Sequence, residues 1–257
     1  MSNLRRLFPL PCNHAIILAA GRSMRLRPLI DDKPKCLLPM GPKTILDWQL
    51  ESLQAVGVHH ITLVVGYRRE MIQDHIRTHY PHLDVQYVEN PDFATTNTLF
   101  SLKRALDAHQ GDFYYLNADV VFESSILKRL VPGDDGGYLA VDCKQCREEE
   151  VKVLVDGSAV LEIGKHLDPS ACYGEFIGVA KFCGSFADRF RASVHTEAVP
   201  GNEMQFFEYA LDQMPDKTGL TTVDITGLPC VEVDFPEDYE YAVNQVLATF
   251  KAVGHDA

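Results

Sequence analysis

Short apolar runs alternate with polar segments through the first half of the chain, and each run ends at residues that favour a turn. The first run, residues 14–18, is rich in isoleucine and stops at Ala-Ala-Gly, which predicts a buried strand that enters a glycine turn. Similar runs predict further strands at residues 61–65, 85–88 and 113–116. We therefore expect the first half of the chain to form the strands of one sheet.

Helical periodicity fills the intervals between these strands. Apolar residues recur at spacings of three and four in residues 45–56, 68–79 and 96–108, and Gly57 stands where the first of these helices would end. Regular alternation of strand and helix is typical of a doubly wound α/β sheet with parallel strands. Ligands of such sheets bind at the C-terminal ends of the strands.

The pattern changes after Leu130. Short strand candidates, joined by turn-forming pairs such as Asp-Gly, predict β-hairpins that lie beside the sheet. These candidates are residues 138–142, 151–155, 159–163 and 176–182. Helices are expected again at residues 202–214 and 236–251, the last of which has Pro236 in its first turn.

Composition narrows the choice of partners. The chain has 257 residues, 46% of them hydrophobic, which is enough for one domain over residues 1–257. Its net charge of -12 gives no general attraction to nucleic acid or to an anionic membrane, and no apolar run reaches the length of a signal or a membrane span. Seven cysteines, an odd number, indicate reduced thiols. We expect a soluble, cytoplasmic protein that binds neither nucleic acid nor membrane.

A cationic loop after the first strand is the strongest chemical signal. The sequence Leu18-Ala19-Ala20-Gly21-Arg22-Ser23-Met24-Arg25-Leu26 is followed by Lys33-Pro34-Lys35-Cys36-Leu37-Leu38-Pro39. A glycine turn lets backbone N–H groups approach a phosphate, and these two stretches of an acidic chain contain four cations, Arg22, Arg25, Lys33 and Lys35. The loop matches neither GxGxxG nor the P-loop. A phosphate-binding loop is favoured over a plain glycine turn with solvated arginines.

These residues resemble the sugar nucleotidyltransferase superfamily, whose opening motif is LAAGxGxRLxPLT followed by xPKxLxP. The matching residues are Leu18 to Gly21, Arg25-Leu26, Pro28-Leu29 and Pro34-Lys35 to Pro39, whereas Ser23 and Ile30 depart from the motif. The resemblance implies a Rossmann-like doubly wound mixed sheet, the GT-A-like nucleotidyltransferase fold, with a small β-hairpin subregion that binds the acceptor. It also implies that Arg25 binds the leaving pyrophosphate and that Lys35 stabilises charge at the α-phosphate.

Two aspartates follow predicted strands. Asp119 ends the run Tyr-Leu-Asn-Ala-Asp, and Asp234 ends Val-Glu-Val-Asp directly before the last predicted helix. Each could be a simple turn residue, but carboxylates at strand ends can bind a hard cation together with phosphate oxygens. Asp234 also resembles the aspartate of the superfamily's closing motif, with Phe235 in place of Thr. The resemblance implies that Asp119, which is also a catalytic candidate, and Asp234 hold Mg²⁺.

The segment Glu89 to Leu102 resembles the NPxxxxTNxxxSL segment of phosphocholine and phosphonate cytidylyltransferases, as does Val65-Gly66-Tyr67. The resemblance implies that CTP is the nucleotide, although Asn97 could equally serve only at a helix N-terminus. The nucleotide-binding candidates are Leu18, Ala19, Ala20, Gly21, Arg22, Ser23, Gly66, Tyr67, Asn90, Thr96, Asn97 and Ser101.

Acceptor-binding candidates lie in the second half. Lys165 follows a predicted hairpin strand, where it could bind a phosphate or phosphonate or could be a solvated hairpin charge. Tyr173, Glu175 and Glu208 would select an acceptor that carries an ammonium group, since carboxylates and aromatic faces bind cations.

We therefore expect a cytidylyltransferase that transfers CMP from CTP to a small phosphorylated or phosphonate acceptor of the phosphocholine or 2-aminoethylphosphonate type. The resemblance divides the chain into a nucleotide-binding half (14–130), an acceptor-binding half (131–235) and a C-terminal helix (236–251). One alternative is a sugar-1-phosphate nucleotidylyltransferase that uses UTP, dTTP or GTP. A second is a non-catalytic nucleotide-binding regulatory subunit. The oligomeric state stays open, with a homodimer as one option.

Overall fold

The computed structural model describes residues 12–23, 25–26, 29–30, 32–130 and 133–250. Met24, Pro28, residue 131 and Lys251, which belong to the predicted motif or to predicted boundaries, lie outside the described residues, as do both chain ends. The prediction of one domain over the whole chain therefore stays a prediction.

Strands and helices alternate as expected through the first half. The strands are β1 (His14–Ala19), β2 (Pro39–Met40), β3 (Lys43–Thr44), β4 (His60–Val65), β5 (Asp84–Glu89), β6 (Phe113–Asn117), β7 (Val120–Phe122), β8 (Gly136–Asp142), β9 (Lys152–Asp156), β10 (Ala159–Gly164), β11 (Gly174–Cys183), β12 (Leu220–Asp224) and β13 (Cys230–Glu232). The helices are α1 (Ile45–Gln54), α2 (Arg69–His79), α3 (Thr98–Ala108), α4 (Ser124–Arg129), α5 (Gly184–Glu197), α6 (Glu208–Asp212) and α7 (Pro236–Tyr241).

Nine of these strands form one mixed sheet in the order β5-β4-β1-β6-β11-β8-β12-β10-β9. The four strands from the first half are parallel, with β1 between β4 and β6. Side chains alternate along β1: Ala15 and Ile17 pack with α1, α2 and α4, whereas Ile16 and Leu18 pack with α3, α5 and α6. Helices thus cover both faces, which confirms the predicted doubly wound α/β fold.

The second half differs from the expected set of hairpins because most of its strands continue the main sheet. Only β9 and β10 form a hairpin with each other, at the edge. Strand β11 changes partner along its length: Glu175 pairs with β9, whereas Val179 pairs with β6. Gly178 lies where the strand changes partner. Its φ of +74 is a backbone conformation that residues with a side chain rarely adopt. The bend at Gly178 lets one strand join the hairpin to the parallel sheet.

Two predicted helices are shorter or less regular than expected. Of residues 202–214, only α6 is helical, because the preceding backbone bonds to α3 instead: the Asn97 N–H donates to the Glu203 carbonyl, and the Phe207 N–H donates to Thr98 Oγ1. After α7 the chain continues as a π-helical turn, Ala242–Val246, and a short 3₁₀ helix, Leu247–Thr249.

Helix α5 and strand β12 were not predicted. Phe186, Phe190 and Val194 of α5 recur at helical spacing and are buried, so the signal was present in the sequence.

The described helices include none that is both apolar enough and long enough to span a bilayer.

Candidate functional site

A cleft of about 390 Å³ opens at the C-terminal ends of β1 and β6. Its walls come from the glycine loop after β1, the start of α3, the turn after β6 and the segments that follow β10 and β13. Among the predicted site residues, it is lined by Leu18, Gly21, Arg22, Ser23, Arg25, Lys35, Asn97, Asp119, Lys165, Glu208 and Asp234. The structure therefore brings the phosphate and metal candidates to one place, together with two of the four acceptor candidates.

Strand pairing brings the two predicted metal ligands together across 115 residues of sequence. Strand β7 begins directly after Asp119 and pairs antiparallel with β13, which ends two residues before Asp234. The Val233 N–H also donates to the Asp119 carbonyl oxygen at 3.0 Å. The backbone thus fixes both strand ends at the floor of the cleft.

Lys35 lies between these two carboxylates. Its ammonium nitrogen is 2.8 Å from Asp119 Oδ2 and 2.5 Å from Asp234 Oδ1. Burial alone would lower the pKa of Lys35, but the two carboxylates raise it above its ordinary value. For Asp234 the directions are reversed: burial would raise its pKa. Lys35 lowers this pKa instead, with a smaller contribution from Arg25. Lys35 is therefore a fixed cation in the cleft.

Glu232 adds a third carboxylate that the sequence reasoning did not propose as a ligand. Oxygen atoms of Asp119, Glu232 and Asp234 lie within 4.8 Å of one another. Asp119 Oδ1 is buried and has no hydrogen-bond partner among the described residues. Burial, together with the charges of the two aspartates, raises the pKa of Glu232 well above its ordinary value. Clustered oxygen donors with one unsatisfied atom fit a hard divalent cation such as Mg²⁺.

Gln49 of α1 supports the turn that carries Asp119. It is fully buried, and its amide nitrogen donates to the carbonyl oxygens of Asn117 at 2.7 Å and Val120 at 2.9 Å. These two bonds bracket Asp119, so Gln49 positions the turn without contacting the cleft itself. A polar residue inside the apolar face of a predicted helix was the sequence signal for this role.

The glycine loop is held from one side by the residues after β4. The Tyr67 N–H donates to the Ala20 carbonyl at 3.0 Å, and the Arg22 guanidinium lies 5.3 Å from the centre of the Tyr67 ring. A Cβ atom at Gly66 would lie 2.8 Å from the Ala20 carbonyl oxygen. Gly66 and Tyr67 thus support the loop from behind and do not line the cleft.

Arg25 lies over the closing motif. Its guanidinium carbon is 5.4 Å from the centre of the Phe235 ring, and Nη1 is 3.7 Å from Asp234 Oδ2. The arginine side chain remains 57% exposed, which leaves most of its donors available to a ligand. Phe235, which departs from the superfamily motif, therefore provides an aromatic surface for Arg25.

The segment before α3 divides into structural and cleft-lining residues. Asn90 is fully buried, and its amide nitrogen donates to Thr96 Oγ1 at 3.1 Å and Ser101 Oγ at 3.0 Å. These three residues hold the segment together and do not line the cleft. Asn97 does line it, while its Oδ1 accepts from the Thr98 N–H at 2.8 Å as the cap of α3. Of the base-contact candidates in this segment, the geometry favours Asn97.

The acceptor candidates separate into two regions. Lys165 and Glu208 line the cleft, and the Lys165 ammonium lies 4.7 Å from the centre of the Phe206 ring. Glu175 instead lines a second cavity, of about 690 Å³, where Lys144 pairs with it at 2.7 Å. Tyr173 lies outside both the cleft and this cavity. The geometry thus favours Lys165 and Glu208.

Two proteins with similar sequences have names that state related activities. The chain is 37% identical, over 89% of its length, to the CMP-5'-(3-aminopropyl)phosphonate synthase of Streptomyces rubellomurinus, and spans 38% of that protein. It is 30% identical to the choline-phosphate cytidylyltransferase of Streptococcus pneumoniae, over 81% of this chain and 97% of that protein. These findings confirm the predicted resemblance to phosphonate and phosphocholine cytidylyltransferases.

Solved structures share the fold. The inositol-1-phosphate CTP transferase from T. maritima superposes with a TM-score of 0.78 at 21% sequence identity, covering 95% of this chain and all of that one. Residues 15–162 match the family model of the MobA-like NTP transferase domain, which includes the glycine loop, Lys35 and Asp119. The chain therefore belongs to the MobA-like NTP transferase domain family, and the predicted nucleotidyltransferase fold is confirmed.

Proposed function

We propose that this protein is a cytidylyltransferase that transfers CMP from CTP to a small phosphorylated or phosphonate acceptor and releases pyrophosphate. The observation that carries the proposal is the position of Lys35, whose ammonium lies 2.8 Å from Asp119 and 2.5 Å from Asp234 beside the glycine loop. The names of the two similar proteins support the choice of CTP and of an acceptor of the phosphocholine or aminoalkylphosphonate type.

The triphosphate lies along the glycine loop in this proposal. Backbone N–H groups near Gly21, together with Arg22 and Arg25, neutralise the two outer phosphates that become pyrophosphate. Lys35 contacts the α-phosphate, where charge develops during transfer. Asn97, which lines the same cleft, contacts the cytosine through its amide.

The reaction is one in-line substitution. An oxygen of the acceptor's phosphate or phosphonate attacks the α-phosphorus of CTP, a new P–O bond forms, and the bond to the bridging oxygen of pyrophosphate breaks. The attacking oxygen is already ionised near neutral pH, so no general base is required. Rate acceleration then comes from positioning the two anions and from neutralising their charge, for which Lys35, Arg25 and Lys165 are suited.

The carboxylates of Asp119, Glu232 and Asp234 would hold Mg²⁺ in the active enzyme. When bound, the metal supplies positive charge to phosphate oxygens. Lys35 forms ion pairs with two of these carboxylates, Asp119 and Asp234, so the lysine and the metal have overlapping electrostatic roles.

Pyrophosphate release tests the proposal directly. The purified chain is incubated with Mg²⁺, one of CTP, UTP, dTTP or GTP, and one of 2-aminoethylphosphonate, phosphocholine or glucose 1-phosphate. We expect release to depend on both CTP and a phosphonate or choline-type acceptor, with mixtures lacking an acceptor as the control. Turnover restricted to glucose 1-phosphate with another nucleotide would support a sugar nucleotidylyltransferase. Binding of CTP and Mg²⁺ without turnover on any acceptor would support a regulatory subunit.

A further inference from the structure

A side chamber of about 230 Å³ opens from the cleft beneath the hairpin of β9 and β10. Lys165, Phe206 and Glu208 line both the cleft and the chamber, so the two spaces adjoin. His166, Gln205, Tyr209 and Asp212 complete the polar lining of the chamber. At roughly 30 Å³ per water, this volume accommodates about seven water-sized groups, which suits a short aliphatic chain.

Glu208 is a buried carboxyl group with one unsatisfied oxygen in this chamber. The residue is 4% exposed, and its Oε2 is buried without a hydrogen-bond partner among the described residues. The nearby Tyr115 hydroxyl, whose pKa is raised by burial and to a smaller extent by Glu208, donates to Asn117 Oδ1 at 2.6 Å. A buried carboxylate oxygen without a donor destabilises a fold. Folding alone therefore does not explain a glutamate at this position, whereas a bound hydrogen-bond donor would.

The charges around Glu208 only partly offset the unfavourable burial of its carboxyl group. Burial raises the pKa of Glu208 to about 7, and Lys165 opposes this increase while Asp119 adds to it. The Lys165 ammonium is directed to the face of Phe206, 4.7 Å from the ring centre. The mouth of the chamber thus presents a cation to the cleft, and its interior presents an unsatisfied anion. Such a pair of opposite charges complements a molecule with an anionic and a cationic end.

We propose that the chamber binds the primary ammonium group of the acceptor on Glu208, while the phosphonate or phosphate end of the acceptor faces Lys165 in the cleft. This inference rests on the proposed function and specifies its acceptor. A primary ammonium has three N–H donors and can satisfy Oε2, whereas a trimethylammonium group has none. Glu208 is therefore a residue that determines acceptor specificity, and the acceptor is an ω-aminoalkyl phosphonate or phosphate.

The test compares acceptors that differ only at the nitrogen end. Steady-state kcat/KM is measured for 2-aminoethylphosphonate against ethylphosphonate, and for phosphoethanolamine against phosphocholine, at saturating CTP and Mg²⁺. We expect the wild-type protein to favour the primary amine in both pairs. In Glu208→Gln the preference for 2-aminoethylphosphonate over ethylphosphonate should fall at least about tenfold, mainly through KM, because the ammonium then meets a neutral amide instead of a charged carboxylate.

Glu203→Gln is the matched control, because Glu203 lies on the same segment and lines neither space, and its side chain accepts a hydrogen bond only from the Gly201 N–H among the contacts described. The Glu203→Gln variant should prefer 2-aminoethylphosphonate over ethylphosphonate to the same degree as the wild-type protein. Thermal unfolding adds a second readout: Glu208→Gln should melt at the same or a higher temperature, because it removes an uncompensated buried charge.

Each outcome separates the inference from the function on which it rests. Equal use of 2-aminoethylphosphonate and ethylphosphonate by the wild-type protein, or phosphocholine used as well as phosphoethanolamine, would overturn the inference and leave cytidylyl transfer intact. An equal loss on both phosphonates in Glu208→Gln would do the same. The absence of CTP-dependent pyrophosphate release with every acceptor would overturn the proposed function, and this inference with it.

Discussion

Removal of the Lys35 ammonium is the most direct perturbation of the site. In the ligand-free protein this group neutralises Asp119 and Asp234, and in the proposed reaction it stabilises charge at the α-phosphate. Lys35→Ala deletes the cation and leaves the short 3₁₀ helix that carries it, Lys35–Leu37, free to form. The variant thus separates the electrostatic role of the lysine from its backbone role.

The expected loss of activity is larger than the expected loss of stability. One preorganised electrostatic contact in an active site contributes about 2.7 to 4 kcal/mol to the barrier, which corresponds to a kcat lower by about 100- to 1,000-fold. The side chains of Lys35, Asp119 and Asp234 are 11%, 25% and 33% exposed, so the ion pairs are partly screened by water. We therefore expect Lys35→Ala to lower the free energy of unfolding by about 1 to 3 kcal/mol.

The assay measures pyrophosphate release at saturating CTP and acceptor, and thermal unfolding in parallel. Lys43→Ala is the matched control, because Lys43 is also an ion-paired lysine, bonded to Glu51 and 4.4 Å from the Trp48 ring centre, but does not line the cleft. Near-normal turnover of folded Lys35→Ala would refute the assignment. An equal loss in Lys43→Ala would show that the effect is one of general stability.

Three further variants test the metal site, the glycine loop and the acid stability. Glu232→Gln should raise the Mg²⁺ concentration for half-maximal activity at least about tenfold, since one charged ligand is lost. An unchanged dependence of activity on Mg²⁺ concentration would argue that Glu232 is not a metal ligand. Gly66→Ala should lower the free energy of unfolding by about 1 to 3 kcal/mol in urea, because its Cβ would lie 2.8 Å from the Ala20 carbonyl; an unchanged midpoint would contradict this. Burial opposes ionisation of Asp47, but hydrogen bonds from His75 and Thr44 hold its pKa well below its usual range. Its stabilising contribution is therefore present above about pH 4 and is lost as the pH falls through the folded pKa, so Asp47→Asn should flatten the decrease in unfolding free energy below about pH 4.

Local patterns place Gly21, Asp119 and Asp234 each just after a short apolar strand, and the structure brings all three to the cleft. For Gly21 and Asp119 this was predictable, because they follow β1 and β6, whose parallel C-terminal ends meet at one edge of the sheet. Asp234 reaches the cleft through the antiparallel pairing of β13 with β7. Glu232 was within reach of the same reasoning, because residues two apart on a strand share a face. The choice of Asp119 and Asp234 over ordinary turn aspartates depended in addition on the resemblance to the superfamily motifs.

Other parts of the site depend on contacts that sequence periodicity does not encode. Helical spacing at residues 202–214 was a poor guide, since the backbone there bonds to the start of α3. That pairing directs Phe206 and Glu208 toward the cleft rather than along a longer helix. The insertion of β11 beside β6, with its bend at Gly178, is likewise a long-range choice. The chamber that distinguishes Glu208 from Glu175 could only be seen after folding.

The charge of the cleft explains how an acidic protein can bind a polyphosphate. The chain carries a net charge of -12, which repels anions at long range. The described lining of the cleft nevertheless contains equal numbers of cations and carboxylates: Arg22, Arg25, Lys35 and Lys165 against Asp119, Glu208, Glu232 and Asp234. A cleft that is neutral by itself cannot neutralise both a triphosphate and a second anion. The cations are concentrated where phosphates are expected, and the carboxylates are concentrated where a metal and an ammonium are expected. The site is thus complementary to its complete set of ligands, and CTP affinity should depend on the divalent cation that accompanies it.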